Sequence, residues 1–202
     1  PRKYYLISLV IVLYALLPFF MAFEGRKPEV RELVVLATMI ALATAGRAAF
    51  FMTPSFKPII AIVIISAIAF GAEAGFLVGS MTMLVSNFLF GQGPWTPWQM
   101  FAMGFIGFLS GILYRLRILP TKRLQLSVYG FLVTFMIYGG IMNPAALFMS
   151  VYQFSWSGLL AIYISGVPVD LRHASSTFLF LWIGAKPLLE KLQRIKVKYG
   201  LL

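Results

Sequence analysis

Apolar residues run along this chain in eight blocks, at roughly 4–23, 33–52, 58–70, 73–90, 98–118, 124–142, 146–166 and 174–190, separated by short polar or charged stretches. A helix needs about 17–25 apolar residues to cross a bilayer, and most of the blocks have that length. The period-two alternation of a barrel strand is absent. The pattern therefore predicts an all-α integral membrane protein. Two blocks depart from it. Block 58–70 has 13 residues, so as a helix it reaches only ~20 Å into a ~30 Å hydrocarbon core. It is either tilted into a neighbour or packed inside the protein. Block 146–166 is diluted by Gln153, Ser155, Ser157 and Gly158.

Charge sorts the ends of the blocks. Arg115, Arg117, Lys122 and Arg123 lie in 114–123, across the end of block 98–118, and Lys186, Lys191, Arg194, Lys196 and Lys198 lie towards the C-terminus. Clustered cations beside spans mark the cytoplasmic side. Residues 124–186 must then cross an even number of times. With 124–142 and 174–190 as crossings, 146–166 is expected to be an external, re-entrant or kinked segment. Stretch 24–32, with Arg26, Lys27 and Arg31, falls inside, as does the turn at 71–73; the uncharged loop 91–97 falls outside. The expectation is a single membrane domain over 1–202, a six-helix bundle (33–192) with an additional N-terminal transmembrane span (4–23). That span is long for a signal-peptide core and lacks a convincing cleavage site. This arrangement puts Arg2 and Lys3 outside, against the charge rule.

Composition narrows the function classes. The chain is 60% hydrophobic and 11% charged, about half the charge of a soluble domain. Its net charge of +11 sits at the ends of apolar blocks, where it orients spans, so nucleic-acid binding is not expected. Without cysteine there are no disulfides, thiolate nucleophiles or cysteine metal sites. One His and six acids supply too few clustered ligands for zinc. There is no GxxxxGK[ST] phosphate loop, so the chain is not expected to hydrolyse ATP. It also lacks the intramembrane acidic relay of a proton-coupled transporter.

Small residues recur at helical spacing. Ala37, Ala41 and Ala45 fall every four residues, as do Gly71, Gly75 and Gly79, and Gly104, Gly107 and Gly111 form a looser set. Such stripes let helix backbones approach closely in lipid. Packing within the chain accounts for the glycines; the alanines could equally dock another membrane subunit.

The stretch SNFLFGQGPWTPWQMF, residues 86–101, is uncharged and rich in Trp, Pro and amides. An interface belt explains the indoles but has no need of Asn87, Gln92 and Gln99 beside them. Pro94 and Pro97 stiffen the loop. The other external ends carry Arg47, Phe50, Phe51, Phe56 and Lys57, then Tyr138, Asn143, Tyr152, Gln153 and Trp156, then Asp170, Arg172 and His173. Aromatic walls with a few placed polar groups suit a small-molecule pocket. Asp170 and His173, spaced i, i+3, would share a helix face and could pair; alternatively Asp170 caps the last helix near a satisfied His.

GAEAGFLVGSMTMLVSNFLFGQGPWTPWQMFAMGFIGFLSGIL (71–113), with ATMIALATAGRAAF (37–50) before it and PVDLRHASSTFLF (168–180) after it, resembles the substrate-specific S component of an energy-coupling factor (ECF) vitamin transporter. The resemblance spans 33 to about 192 and is greatest to the cobalamin-type S component. It implies a multi-pass protein of the bacterial cell membrane whose core binds a vitamin at the external face. It implies association with a transmembrane coupling subunit and two cytoplasmic ATPases, and toppling in the membrane to release the cargo. No cofactor is bound permanently, and ATP is used by the partner subunits only. The alanine motif, Ala37, Ala41 and Ala45, would contact the coupling subunit. Loops at about 52–58, 91–97 and 143–157 would gate the substrate. With cobalamin as ligand, Trp95 and Trp98 would pack on its apolar face. Asn87, Gln92, Gln99 and Asn143 would exchange hydrogen bonds with its amides. Arg47, Tyr138, Tyr152, Trp156, Asp170 and His173 complete the set of substrate-binding candidates.

Three alternatives remain open. One is an S component for another vitamin, such as riboflavin or a queuosine precursor. Another is a membrane-embedded enzyme using Asp170 and His173, which would turn over without partner subunits. The third is a purely structural membrane subunit with no small-molecule ligand.

Overall fold

The computed structural model describes residues 3–25, 27–150 and 154–201. Arg2, Arg26, Tyr152 and Gln153, named above, lie outside the described residues. The described chain forms helices joined by loops, with no strand: α1 (Lys3–Gly25), α2 (Val30–Ala49), α3 (Ile59–Phe70), α4 (Ala72–Phe90), α5 (Thr96–Arg115), α6 (Arg123–Ser150) and α7 (Trp156–Tyr199). The helices from α2 to α7 correspond to the expected core, and α1 to the extra N-terminal helix. By length and apolarity α2, α4, α5 and α6 each suffice to cross a membrane.

The short block is packed inside the protein. Every residue of α3 except Ala69 is buried, against α2, α4, α5 and α7. A helix apolar on all sides has no wet face to present and is stable only when enclosed. Ser66, its one polar side chain, donates to the carbonyl of Ile62 at 2.7 Å. Gly71, at φ 96°, then turns α3 directly into α4, in a conformation that glycine adopts without strain.

α4 and α5 form the tightest pair, and the glycine sets are what they share. A Cβ on Gly75 would stand 2.8 Å from the carbonyl oxygen of Gly107, and one on Gly79 2.8 Å from the backbone nitrogen of Gly104. Gly111 abuts the backbone of Ala72 in the same way. With no side chain between them, the two backbones touch, which is how small residues drive helix association in lipid. α1 lies over this pair. Phe19 stacks on Phe76 of α4 at 4.2 Å and meets Phe108 of α5 edge-on at 4.9 Å.

Block 146–166 is not a separate external or re-entrant segment. Its first residues complete α6, which runs unbroken through a π-helical turn at Thr134–Tyr138. Such a turn absorbs an extra residue without ending the helix. The later residues open α7, where the Ser155 Oγ accepts from the Gly158 N–H at 3.1 Å as an N-cap. α7 has 44 residues, about 66 Å of helix, roughly twice a hydrocarbon core. Its ends therefore extend past the apolar layer, which is why the polar part of the block can be helical. At its other end Lys196 donates to the carbonyl of Ala69 at 2.6 Å. The C-terminal cations and the turn at 71–73 thus share one end of the bundle, as the charge pattern predicts.

Gly107→Val would push side-chain carbons into the backbone of Gly75. It is expected to cost about 1–3 kcal/mol and to lower the melting temperature of the detergent-solubilised protein. Gly25→Ala, where a Cβ meets nothing within 4 Å, is expected to melt like the parent. Equal melting of the two variants would contradict the close approach of α4 and α5.

Candidate functional site

At the end of the bundle away from Lys196, a cavity of about 190 Å³ is lined by Arg47, Ser55, Lys57, Ile59, Ile60, Met83, Gln99, Met103, Tyr138, His173 and Thr177. Six helices, α2 to α7, and the loop between α2 and α3 therefore contribute to it.

Arg47 lies in the last turn of α2, where a cation suits the helix dipole. Its Nη1 donates to Ser86 Oγ at 2.7 Å and to Asn87 Oδ1 at 2.6 Å. Its guanidinium sits 5.3 Å from the Phe90 ring centre. Asn87 is fully buried and uses its whole amide. While Oδ1 accepts from Arg47, Nδ2 donates to Thr96 Oγ1 at 3.0 Å and to Gln99 Oε1 at 2.8 Å. The Thr96 hydroxyl donates to Gln92 Oε1 at 2.8 Å, and Gln92 Nε2 to the carbonyl of Leu84 at 3.3 Å. One chain of hydrogen bonds thus joins α2, the end of α4, the loop at 91–95 and the first turn of α5. Asn87 solvates the half-buried Arg47, and through it the amides of the unusual stretch hold the loop to the helix before it.

The far wall depends on the π-helical turn of α6. Thr134 donates within α6 to the carbonyl of Gly130 at 2.6 Å and lies 3.0 Å from Thr177 Oγ1 of α7. At the end of that turn Tyr138 faces His173, with ring centres 5.2 Å apart. The α2–α3 loop is fixed from α7, whose Ser176 Oγ donates to the carbonyl of Lys57 at 2.9 Å. Ser55 in that loop takes a left-handed φ of 62°. Burial pushes the Lys57 ammonium below its usual pKa, and the nearby Arg47 guanidinium pushes it further. Among the described residues, no carboxylate lines the cavity.

Of the candidates from sequence, Arg47, Gln99, Tyr138 and His173 line the cavity, and Asn87 stands directly behind Arg47. Asn143 and Asp170 bond to each other, Nδ2 to Oδ2 at 2.7 Å, outside the lining. Asp170 is buried well inside α7 and caps nothing; Ser155 does that. Asp170 faces Asn143 and Gly139 while His173 faces Tyr138, so each has a partner other than the one expected. Trp98 stacks on Phe148 at 6.3 Å, and its Nε1 is buried without a hydrogen-bond partner among the described residues. Trp95 covers Gly93, and Trp156 opens α7 with 77% of its surface exposed. These three indoles and Gln92 lie outside the lining, and Tyr152 lies outside the described residues. Ala37, Ala41 and Ala45 are all exposed along α2.

The loops are shorter than expected. The stretch 91–97 contracts to 91–95, because Pro97 sits in the first turn of α5, where its missing N–H leaves nothing unpaired. Asn143 is helical, so 143–157 contracts to the residues between Ser150 and Trp156. Ser55, Met83, Met103 and Thr177 line the cavity and were not anticipated. Met and Thr inside apolar blocks look like core. Lys57 carried a legible signal, as the one charge between Phe50 and Pro58.

Residues 27–194 match the family model described as ECF-type riboflavin transporter, S component. No curated protein and no solved structure matches the chain. The chain belongs to the S-component family of ECF transporters. It is a multi-pass membrane protein and a substrate-binding subunit of a kind that works with a transmembrane coupling subunit and ATPases.

Asn87→Ala removes the acceptor from Arg47 and the donor from Gln99. Hydrogen bonds to charged groups contribute about 1.5–3 kcal/mol, and a loss of that size is expected in thermal or denaturant melts. Combined with Gln99→Ala, the losses should fall short of additive, since the residues share a network. Strict additivity would break the chain of bonds described here.

Proposed function

We propose that this subunit captures a compact, flat, acceptor-rich vitamin at the external face and hands it to the coupling subunit, with riboflavin as first candidate. The cavity carries this reading. At about 190 Å³ it lies below the roughly 300–1,000 Å³ of drug-sized pockets, so modest movement of the loops suffices for a tricyclic ring and much more is needed for a corrinoid. Arg47, Lys57 and Gln99 supply hydrogen-bond donors, which suit the carbonyl and ring-nitrogen edge of an isoalloxazine. Tyr138, His173, Met83 and Met103 supply flat or adaptable surface. The matching family, riboflavin-type S components, is compatible with the same vitamin.

Cobalamin is the second reading, and one observation favours it. Trp95 and Trp156 keep 39% and 77% of their surface exposed, and Gln92 is exposed three residues before Trp95, amide and indole groups that a small flat ligand inside the cavity would leave unused. A queuosine precursor shares the flat heterocycle and belongs with the first reading. An enzyme built on Asp170 and His173 is disfavoured, because both side chains are engaged elsewhere and the family is a transporter component.

For docking, the exposed alanine stripe on α2 borders an apolar groove that continues over Ala61 and Ile62 of α3 to Phe180 and Gly184 of α7. Small residues beside a groove suit a transmembrane helix of the coupling subunit.

Isothermal titration of the detergent-purified chain with riboflavin and with cobalamin tests the substrate. Tight riboflavin binding with none to cobalamin is the expected result; the reverse would hand the assignment to the corrinoid. For the docking surface, Ala41→Trp is expected to abolish uptake in cells carrying the coupling module while leaving vitamin affinity unchanged. Normal uptake would move the docking surface elsewhere.

A further inference from the structure

We propose that the ligand group seated between Arg47 and Lys57 is an anion, a phosphate ester or a carboxylate. This rests on the reading that the cavity is the substrate site, and it adds a charge requirement that neither vitamin named above was chosen for.

The argument starts from two cations that converge from separate elements, Arg47 from α2 and Lys57 from the α2–α3 loop, on one small cavity without a lining carboxylate. Arg47 is held by neutral partners alone, Ser86, Asn87 and the Phe90 ring. Both of its hydrogen bonds use Nη1. The N–H groups on Nη2 and Nε, three of the five on a guanidinium, bond to nothing among the described residues. Lys57 is held at the cavity through its own carbonyl by Ser176, so its ammonium cannot simply swing away with the loop. Asp170 on the adjoining wall bonds to Asn143 outside the lining and forms no ion pair with either cation among the described residues. Two like charges in a partly buried site repel and are partly desolvated, a cost that an opposite charge relieves. A guanidinium with an open bidentate edge beside an ammonium is a donor set for phosphate or carboxylate oxygens. Ser55 and Gln99 stand in the same lining and can donate to the remaining oxygens.

The anion could come from either scaffold. Flavin mononucleotide carries a phosphate that riboflavin lacks, and cobalamin carries a phosphodiester that cobinamide lacks. The test titrates the full detergent-purified chain with all four compounds, and repeats it with Lys57→Met and Lys57→Gln. A melting series in inorganic phosphate runs beside it, with chloride at matched ionic strength as control. In whichever scaffold binds, the phosphate-bearing member is expected to bind at least about tenfold tighter. The gap should collapse in both Lys57 variants. Equal affinity within a pair, or a gap that survives both substitutions, would overturn the anion site while leaving the vitamin reading intact. If none of the four binds, the vitamin reading falls and the melting series decides. A phosphate-dependent rise in melting temperature that both variants lose supports the anion site, and no rise overturns it.

Discussion

A guanidinium enclosed by helices has to be solvated by the protein itself, and the rest of this site follows from how Arg47 is solvated. Its hydrogen-bond partners Ser86 and Asn87 lie at the end of α4, where no carboxylate is present. An amide can serve a buried cation only if its own donors are then satisfied, since unpaired polar groups in a bilayer-embedded core cost several kcal/mol. Thr96 and Gln99 do this for Asn87. Both come from the first turn of α5. The cation therefore dictates that α5 begin close against the end of α4, and that the loop between them be short.

The packing that permits this lies further down the same pair of helices. Gly75 and Gly79 against Gly104 and Gly107 bring the two backbones into contact. Larger residues there would splay the helices and carry Thr96 and Gln99 out of reach of Asn87. α3 completes the support. Its entirely apolar surface keeps it at the centre of the bundle, and its first residues, Ile59 and Ile60, form part of the cavity lining. The opposite wall is positioned by a different device. Without the π-helical turn at Thr134–Tyr138, every residue beyond it in α6 would be rotated by about 100°, the angle of one residue in a 3.6-residue turn. Tyr138 would then be displaced from the face it shares with His173.

Much of this was legible in the sequence, and the failures have physical causes. Block lengths gave the helices, and the 13-residue block, too short for an ordinary crossing, was either tilted or enclosed; burial on all sides decides for enclosure. The glycine spacing gave the α4–α5 contact. Charge counting rightly denied 146–166 a crossing of its own, but block counting could not show that α6 and α7 divide that block between them as extensions of the neighbouring helices. At the site, Arg47, Gln99, Tyr138 and His173 were visible as polar groups at one end of apolar blocks. The indoles lie outside the cavity lining: Trp98 and Trp156 belong to a run of aromatic contacts through Phe148 and Phe154, which a sequence cannot distinguish from a ligand platform. Asp170 was misread as a cap because nothing local marks a helix of 44 residues as one element, with Pro168 and Pro187 inside it.

α2 carries two surfaces back to back. Ala43, Thr44 and Arg47 face inwards, while Ala37, Ala41 and Ala45 face out. On the proposed function the first surface meets the substrate and the second the coupling subunit, so a small rotation of one helix is felt at both. The direction of the effect depends on how a ligand uses Arg47. A group that draws Nη1 towards itself competes with Ser86 and Asn87, and loosens the loop that Asn87 anchors through Thr96 and Gln92. A group that takes the open edge at Nη2 and Nε leaves those bonds intact and adds a tie across α2, the α2–α3 loop and α7. Only the second use stabilises the closed arrangement, because a ligand shifts an equilibrium solely by its differential affinity for the two states. A guanidinium whose inner nitrogen is already committed to the loop, with its outer edge open to the cavity, is built for that second use.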